Sequence, residues 1–162
     1  MSAPSPPKDA FTEYKPGIRA WLLNKWAAEN ALSDFKTSEQ YGSIADNLFK
    51  KMAQRNARGE QLERSGALNN AITLYEQNVA DWFDGSFPYE RLRIIYTKQR
   101  RYDEAIRVCE AYNAMAEQKH SLDTFYLGDG QFSAWIEKLK AKREGRPSGQ
   151  KELNDVLKRW GW

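Results

Sequence analysis

The side chains able to do covalent chemistry are few in this sequence, and their spacing does not suit it. Among 162 residues there is one cysteine, Cys109, and one histidine, His120. Cys109 falls in step with Ile106 and Tyr112 on an apolar helical stripe, where a thiol packs as a small hydrophobe and lacks the electropositive, part-open setting of a nucleophile. A single Cys with a single His excludes the usual zinc spacings, and a lone cysteine excludes an intramolecular disulfide. The "LGDG" at 127–130 has neither the length nor the lysine of a phosphate-binding P-loop. The adjacent acids Asp103 and Glu104 suit the first turn of a helix, where the backbone dipole favours negative charge. No catalytic constellation emerges. The sequence predicts a protein that is not an enzyme and needs neither cofactor nor metal.

Charge offers the next candidate. The net charge of +3 is too small to imply nucleic acid, but the cations are clustered. From Glu90 to Arg101, five basic residues (Arg91, Arg93, Lys98, Arg100, Arg101) stand against one acid; from Glu137 to Arg146, five (Lys138, Lys140, Lys142, Arg143, Arg146) stand against two. Neighbouring aromatics could stack on bases. However, Tyr89, Tyr96, Phe132 and Trp135 lie on apolar stripes, which predicts core packing. A basic helical nucleic-acid-binding or accessory protein is therefore the alternative reading.

The elements that position these groups are helices. Hydrophobic residues make up 41% and charged residues 29%, with seven Phe, eight Tyr and six Trp as packing groups, so a folded chain with one core is expected. Apolar positions recur at helical spacing in seven places. Ile18, Trp21, Leu22 and Trp26 mark the first helix. "TSEQ" proposes Thr37 as the cap of a second, striped by Tyr41, Ile44, Ala45, Leu48 and Met52, which runs on until Gly66. Leu68, Ala71, Ile72, Tyr75, Val79, Trp82 and Phe83 define a third. A fourth opens at Pro88 and carries Tyr89, Leu92, Ile95 and Tyr96. The fifth carries Ala105, Ile106, Cys109, Tyr112 and Met115; the sixth Phe132, Trp135, Ile136 and Leu139; the last Leu153, Val156, Leu157 and Trp160. No alternating strand pattern appears, so the fold class is all-α. No apolar run approaches the length of a membrane span and the N-terminus lacks a secretory pattern, which predicts a cytoplasmic protein with no membrane partner.

Two of these segments say nearly the same thing. "LNNAITLYEQ" at 68–77 and "YDEAIRVCEA" at 102–111 align at an offset of 34 residues, pairing Leu62 with Tyr96, Ala71 with Ala105, Ile72 with Ile106, Tyr75 with Cys109 and Glu76 with Glu110. This resembles the tetratricopeptide repeat, a helix–turn–helix unit of 34 residues with the pattern W-x2-L-G-x2-Y, A-x3-F, P. Tyr89, Leu92, Tyr96, Ala105 and Cys109 fill the large and small positions of one unit, with Arg93 in place of Gly. Gly59, Leu62, Ala71 and Tyr75 match in the other, while Arg55 and Arg58 stand at usually apolar positions and Phe83 replaces the final Pro. Small residues such as Gly59 and Ala71 leave room where two helices cross.

The resemblance covers 52–119 and implies antiparallel helix hairpins in a right-handed superhelical stack. The chain then divides into a disordered tail (1–16), N-terminal helices (17–51), two repeats (52–119), an irregular segment with a capping helix (120–146), and a linker with a C-terminal helix (147–162). It further implies a scaffold, or adaptor, that binds a peptide or helix of a partner protein in a groove lined by Asn56, Glu60, Glu63 and Arg64 from one unit and Glu90, Arg91, Ile94, Thr97 and Lys98 from the other. The family's Lys/Asn/Arg clamp for a terminal carboxylate is not expected, because Asn56 and Glu60 stand where Lys and Asn are wanted. The C-terminal helix is expected to cap its own chain, leaving a monomer, with docking on a neighbouring chain to form a homodimer as the alternative.

Overall fold

The computed structural model describes residues 9–123, 130, 132–145, 158, 159 and 161. Among them the fold is all-α, with six helices and no strand: α1 (Pro16–Asn30), α2 (Phe35–Arg64), α3 (Leu68–Ala80), α4 (Phe87–Lys98), α5 (Tyr102–Leu122) and α6 (Ser133–Arg143). The expected C-terminal helix on Leu153, Val156, Leu157 and Trp160 lies outside the described residues. Where length suggested one core, packing divides the chain into two units, Met1–Pro88 and Tyr89–Trp162.

In the first unit α1 packs on α2 and α2 on α3. Pro16 opens α1 at a position where its missing N–H costs nothing, and Ile18, Leu22 and Leu23 are buried. Trp26, expected on the buried face, is 43% exposed and meets the ring of Phe11 at 6.1 Å. Residues 10–13 form turns, and the Ala10 carbonyl accepts from Arg19 Nε at 2.9 Å.

Helix α2 begins earlier than expected. Asp34, not Thr37, is the cap: its carboxylate accepts the Thr37 N–H at 3.1 Å and the Thr37 hydroxyl at 2.5 Å. These hydrogen bonds hold the Asp34 carboxyl below its ordinary range. A charged acceptor at a helix N-terminus outbids a neutral hydroxyl for the same donors, so Thr37 becomes part of the first turn. The helix then runs unbroken for 30 residues, through the expected boundary at 51/52. It ends where Gly66 adopts φ +85° and the Ala67 N–H reaches back to the Leu62 carbonyl at 2.9 Å.

Helix α3 ends at Ala80, so Trp82 and Phe83 lie beyond the helix the sequence assigned them to. Trp82 takes φ +54°, letting the Phe83 N–H bond the Asn78 carbonyl at 2.9 Å. Phe83 is buried all the same, its ring stacked 5.8 Å from Phe49. A buried aromatic in a folded-back turn keeps the stripe going in sequence after the helix has stopped.

The second unit is built on α4, α5 and α6, with α5 packed against α6. Tyr89, Leu92, Ile95 and Tyr96 on α4 are buried, as are Ala105, Ile106, Cys109, Tyr112 and Met115 on α5. Tyr112 joins the layers, 5.2 Å from Tyr89 edge-on and 4.6 Å from Phe132. Trp135 departs from expectation: it is 37% exposed, with the Arg93 guanidinium 3.7 Å over its ring. The cation occupies a ring face that the apolar stripe alone assigned to the core.

The small residues sit as tightly as their sequence positions suggest. A Cβ on Gly59 would come within 2.5 Å of Tyr75 Cε1, and Ala71 and Ala105 are fully buried. Ala71→Leu and Ala105→Leu should therefore each cost about 1–3 kcal/mol by overpacking. Urea denaturation checks this, and parental midpoints in both variants would show that neither site lies at a close crossing.

Candidate functional site

The residues expected to line a groove fall on α2 in the first unit and on α4 in the second. Asn56 does not face outward. It is buried, and its Oδ1 accepts from Asn78 Nδ2 at 2.8 Å. The same Nδ2 donates to the Met52 carbonyl at 2.8 Å, and Asn78 Oδ1 accepts from Arg55 Nη1 at 3.2 Å. Arg55 also pairs with Asp81. A polar network thus fills the α2–α3 contact where the repeat pattern places apolar side chains, which accounts for Arg55 at such a position. Arg58 is simply exposed.

One turn further along α2, Glu60 forms an ion pair with Arg64, which is exposed. Glu63 accepts a 2.6 Å hydrogen bond from the Tyr75 hydroxyl, so the carboxylate ties α2 to α3 while remaining half-exposed. On α4, Glu90 lies 3.9 Å from Arg93 Nη2, Arg91 and Ile94 are half-buried, and Lys98 is exposed. The Thr97 hydroxyl is occupied by its own helix, donating to the Arg93 carbonyl at 2.6 Å. Three of the nine residues (Asn56, Glu63 and Thr97) thus spend hydrogen-bonding capacity on structure. Glu60, Arg64, Glu90, Arg91, Ile94 and Lys98 leave accessible surface on two helix faces.

Arg93, one of the cations of the 90–101 run, stands where the repeat pattern wants Gly. Its side chain is 9% exposed, stacked on Trp135, and its Nε has no hydrogen-bond partner among the described residues. Burial pulls the guanidinium below its ordinary range, offset by the nearby Cys109 and Glu90. Cys109 is pushed up to about 12, chiefly by burial, so its thiol is neutral at pH 7 and a poor nucleophile. No group of three His, Cys, Asp or Glu able to hold a metal occurs among the described residues. No helix among them is long and apolar enough to cross a membrane.

No family model, curated protein or solved structure matches this chain. The functional reading therefore rests on the side chains themselves.

The basic runs look different in three dimensions. On α6, Lys140 lies 3.8 Å from Glu137, and Arg143 bonds Asp103 at 2.9 Å with Glu144 at 3.5 Å. Lys138 lies 4.9 Å over the Trp135 ring. Part of the positive charge that suggested a nucleic-acid track, at Arg93, Lys140 and Arg143, is thus matched locally. Tyr89, Tyr96 and Phe132 are buried and present no face to a base.

Proposed function

We propose that the chain is a non-enzymatic scaffold that holds a peptide or helix of a partner protein on an exposed helix face, that of α2 in the first unit or that of α4 in the second, and that these hairpins are diverged tetratricopeptide-like units. One observation carries the reading: the two classes of position in the repeat pattern separate by burial. Of the packing positions, Tyr89, Leu92, Tyr96, Ala105, Cys109, Gly59, Ala71 and Tyr75 are buried and Leu62 is half-buried; of the nine groove positions only Asn56 is buried. A helix whose apolar positions are spent internally, and whose opposite face carries mixed charge beside an apolar Ile94, offers what a partner segment needs. Charged side chains there set orientation and exclude wrong partners, while the aliphatic contact adds affinity.

The test is affinity capture from extracts of the source organism with the parent and with Glu60→Lys/Arg91→Glu, which reverses one half-buried charge on each helix. A protein retained by the parent should be lost or at least about tenfold depleted with the variant, since wrong-sign charges cost both attraction and specificity. Identical captured sets would remove these faces from the interaction. Recovery of nucleic acid with steep salt dependence would replace the scaffold by the basic alternative.

A further inference from the structure

In the second unit, Arg100, Arg101, Tyr102, Asp103, Glu104 and Arg143 line an open cleft of about 430 Å3, where the α4–α5 turn meets the end of α6. We propose that this cleft binds a short acidic peptide segment, with Arg100 and Arg101 as the side chains that hold its carboxylates.

Charge in the lining is unevenly matched. The two acids in the lining already have cations of their own: Arg143 Nη1 bonds Asp103 Oδ1 at 2.9 Å, and Arg107 Nη2 bonds Glu104 Oε2 at 2.8 Å. Arg100 and Arg101 do not have the converse. Arg101 donates to the neutral Gln99 side chain at 3.2 Å and lies 4.5 Å over the Tyr96 ring. Arg100 makes no side-chain hydrogen bond or ion pair among the described residues, and both arginines are exposed. Both arginines line the concavity and neither has a carboxylate partner, so an anion seated there meets two uncompensated positive charges and can be held through their N–H donors. The Tyr96 ring under Arg101 restricts that guanidinium, lowering the entropy lost when it grips a ligand.

Acidic peptide fits better than nucleic acid. A polyanion needs a continuous track of cations along its backbone. Here Asp103 and Glu104 share the lining and Glu144 adjoins Arg143, which interrupts any such track. A segment with two neighbouring carboxylates needs only the two unmatched arginines. The proposal takes from the scaffold reading only that the ligand is peptide, and the residues concerned are different.

The probe is a fluorescein-labelled peptide with adjacent Glu residues, titrated with the full chain and read by fluorescence anisotropy at low and physiological salt. The same peptide with Gln for Glu and a single-stranded oligonucleotide of equal charge serve as comparisons. The acidic peptide should bind, more weakly at higher salt, and the Gln peptide should not. Arg100→Gln/Arg101→Gln should weaken binding about tenfold, and Arg100→Gln alone about threefold, as expected for one or two part-exposed ion pairs. Because Arg100 is exposed and makes no side-chain hydrogen bond or ion pair among the described residues, the single variant keeps the test valid even if loss of the Arg101–Tyr96 stacking perturbs the fold. Absence of peptide binding, parental binding by the variants, or tighter binding of the oligonucleotide through the same arginines would each overturn the proposal. Capture of a partner through Glu60 and Arg91 succeeds or fails independently of this titration.

Discussion

Gly17→Ala should destabilise the protein by about 3 kcal/mol, the upper end of overpacking costs, because the obstacle is backbone. Gly17 lies in the first turn of α1, and its N–H donates to the Asp81 carbonyl at 2.9 Å. A methyl group built there would overlap the carbonyl oxygen and carbon of Trp82 and approach Phe83 N at 3.0 Å. No rotamer change relieves such an overlap. Either α1 withdraws, exposing Ile18 and Leu22, or the turn after α3 rearranges and loses its hydrogen bonds. Gly59→Ala differs in kind, since its obstacle is the Tyr75 ring, which can tilt. Gly42, on α2 with nothing within 4 Å of its would-be Cβ, is the control. Gly42→Ala should stabilise by about 0.5–1 kcal/mol, because a mid-helix glycine carries an entropy penalty and no clash opposes its removal. Urea denaturation of the three proteins orders them Gly42→Ala, parent, Gly17→Ala. A Gly17→Ala midpoint at or above the parent's would mean that α1 does not approach the α3 turn so closely.

That contact was invisible in the sequence, where Gly17 merely precedes the first helical stripe. Periodicity carried the rest of the all-α fold well, because most helices here bury one face: Tyr89, Leu92 and Tyr96 on α4, and Ala105 and Cys109 on α5, were legible as core from spacing alone. The length of α2 and its stop at Gly66 followed from an apolar stripe that keeps the helical period past Gly42 and Gly59 with no proline to break it. Local competition was harder to read. "SDFKTSEQ" contains two possible caps, and only the relative strength of a carboxylate and a hydroxyl as acceptors decides for Asp34. Apolar pattern also failed at Trp82–Phe83, since a residue can be buried from a turn as well as from a helix, and at Trp135, whose ring face is taken by an arginine. The cleft on α5 unites a turn with Arg143, 40 residues from its partner Asp103, and no short-range pattern reports such a juxtaposition.

Asn56 is the clearest case of a polar residue misplaced by default reasoning, and it leads to the second large expected effect. Polar side chains on a helix are assigned outward unless a partner is known, and the partner here, Asn78, lies 22 residues away on α3. Asn78 is fully buried; its Nδ2 bonds Met52 O and Asn56 Oδ1, and its Oδ1 accepts from Arg55. Asn78→Leu removes these bonds together and leaves the buried Asn56 acceptor without this donor, a loss of about 2–3 kcal/mol. Arg55 retains Asp81, which limits the damage on that side. The double variant Asn56→Leu/Asn78→Leu replaces both partners by apolar groups, so it should cost less than the sum of the single variants, with a coupling of about 0.5–3 kcal/mol. Additive losses would show that the two amides act separately. The network also has a positional consequence. Glu60 and Arg64 follow Asn56 at intervals of one helical turn, so a hydrogen bond that fixes Asn56 toward α3 fixes the rotation of α2 about its axis and hence the face those charges present. A Leu–Leu contact is non-directional and permits that rotation. The double variant should therefore recover helicity and much of its stability while holding a captured partner less firmly than the parent does.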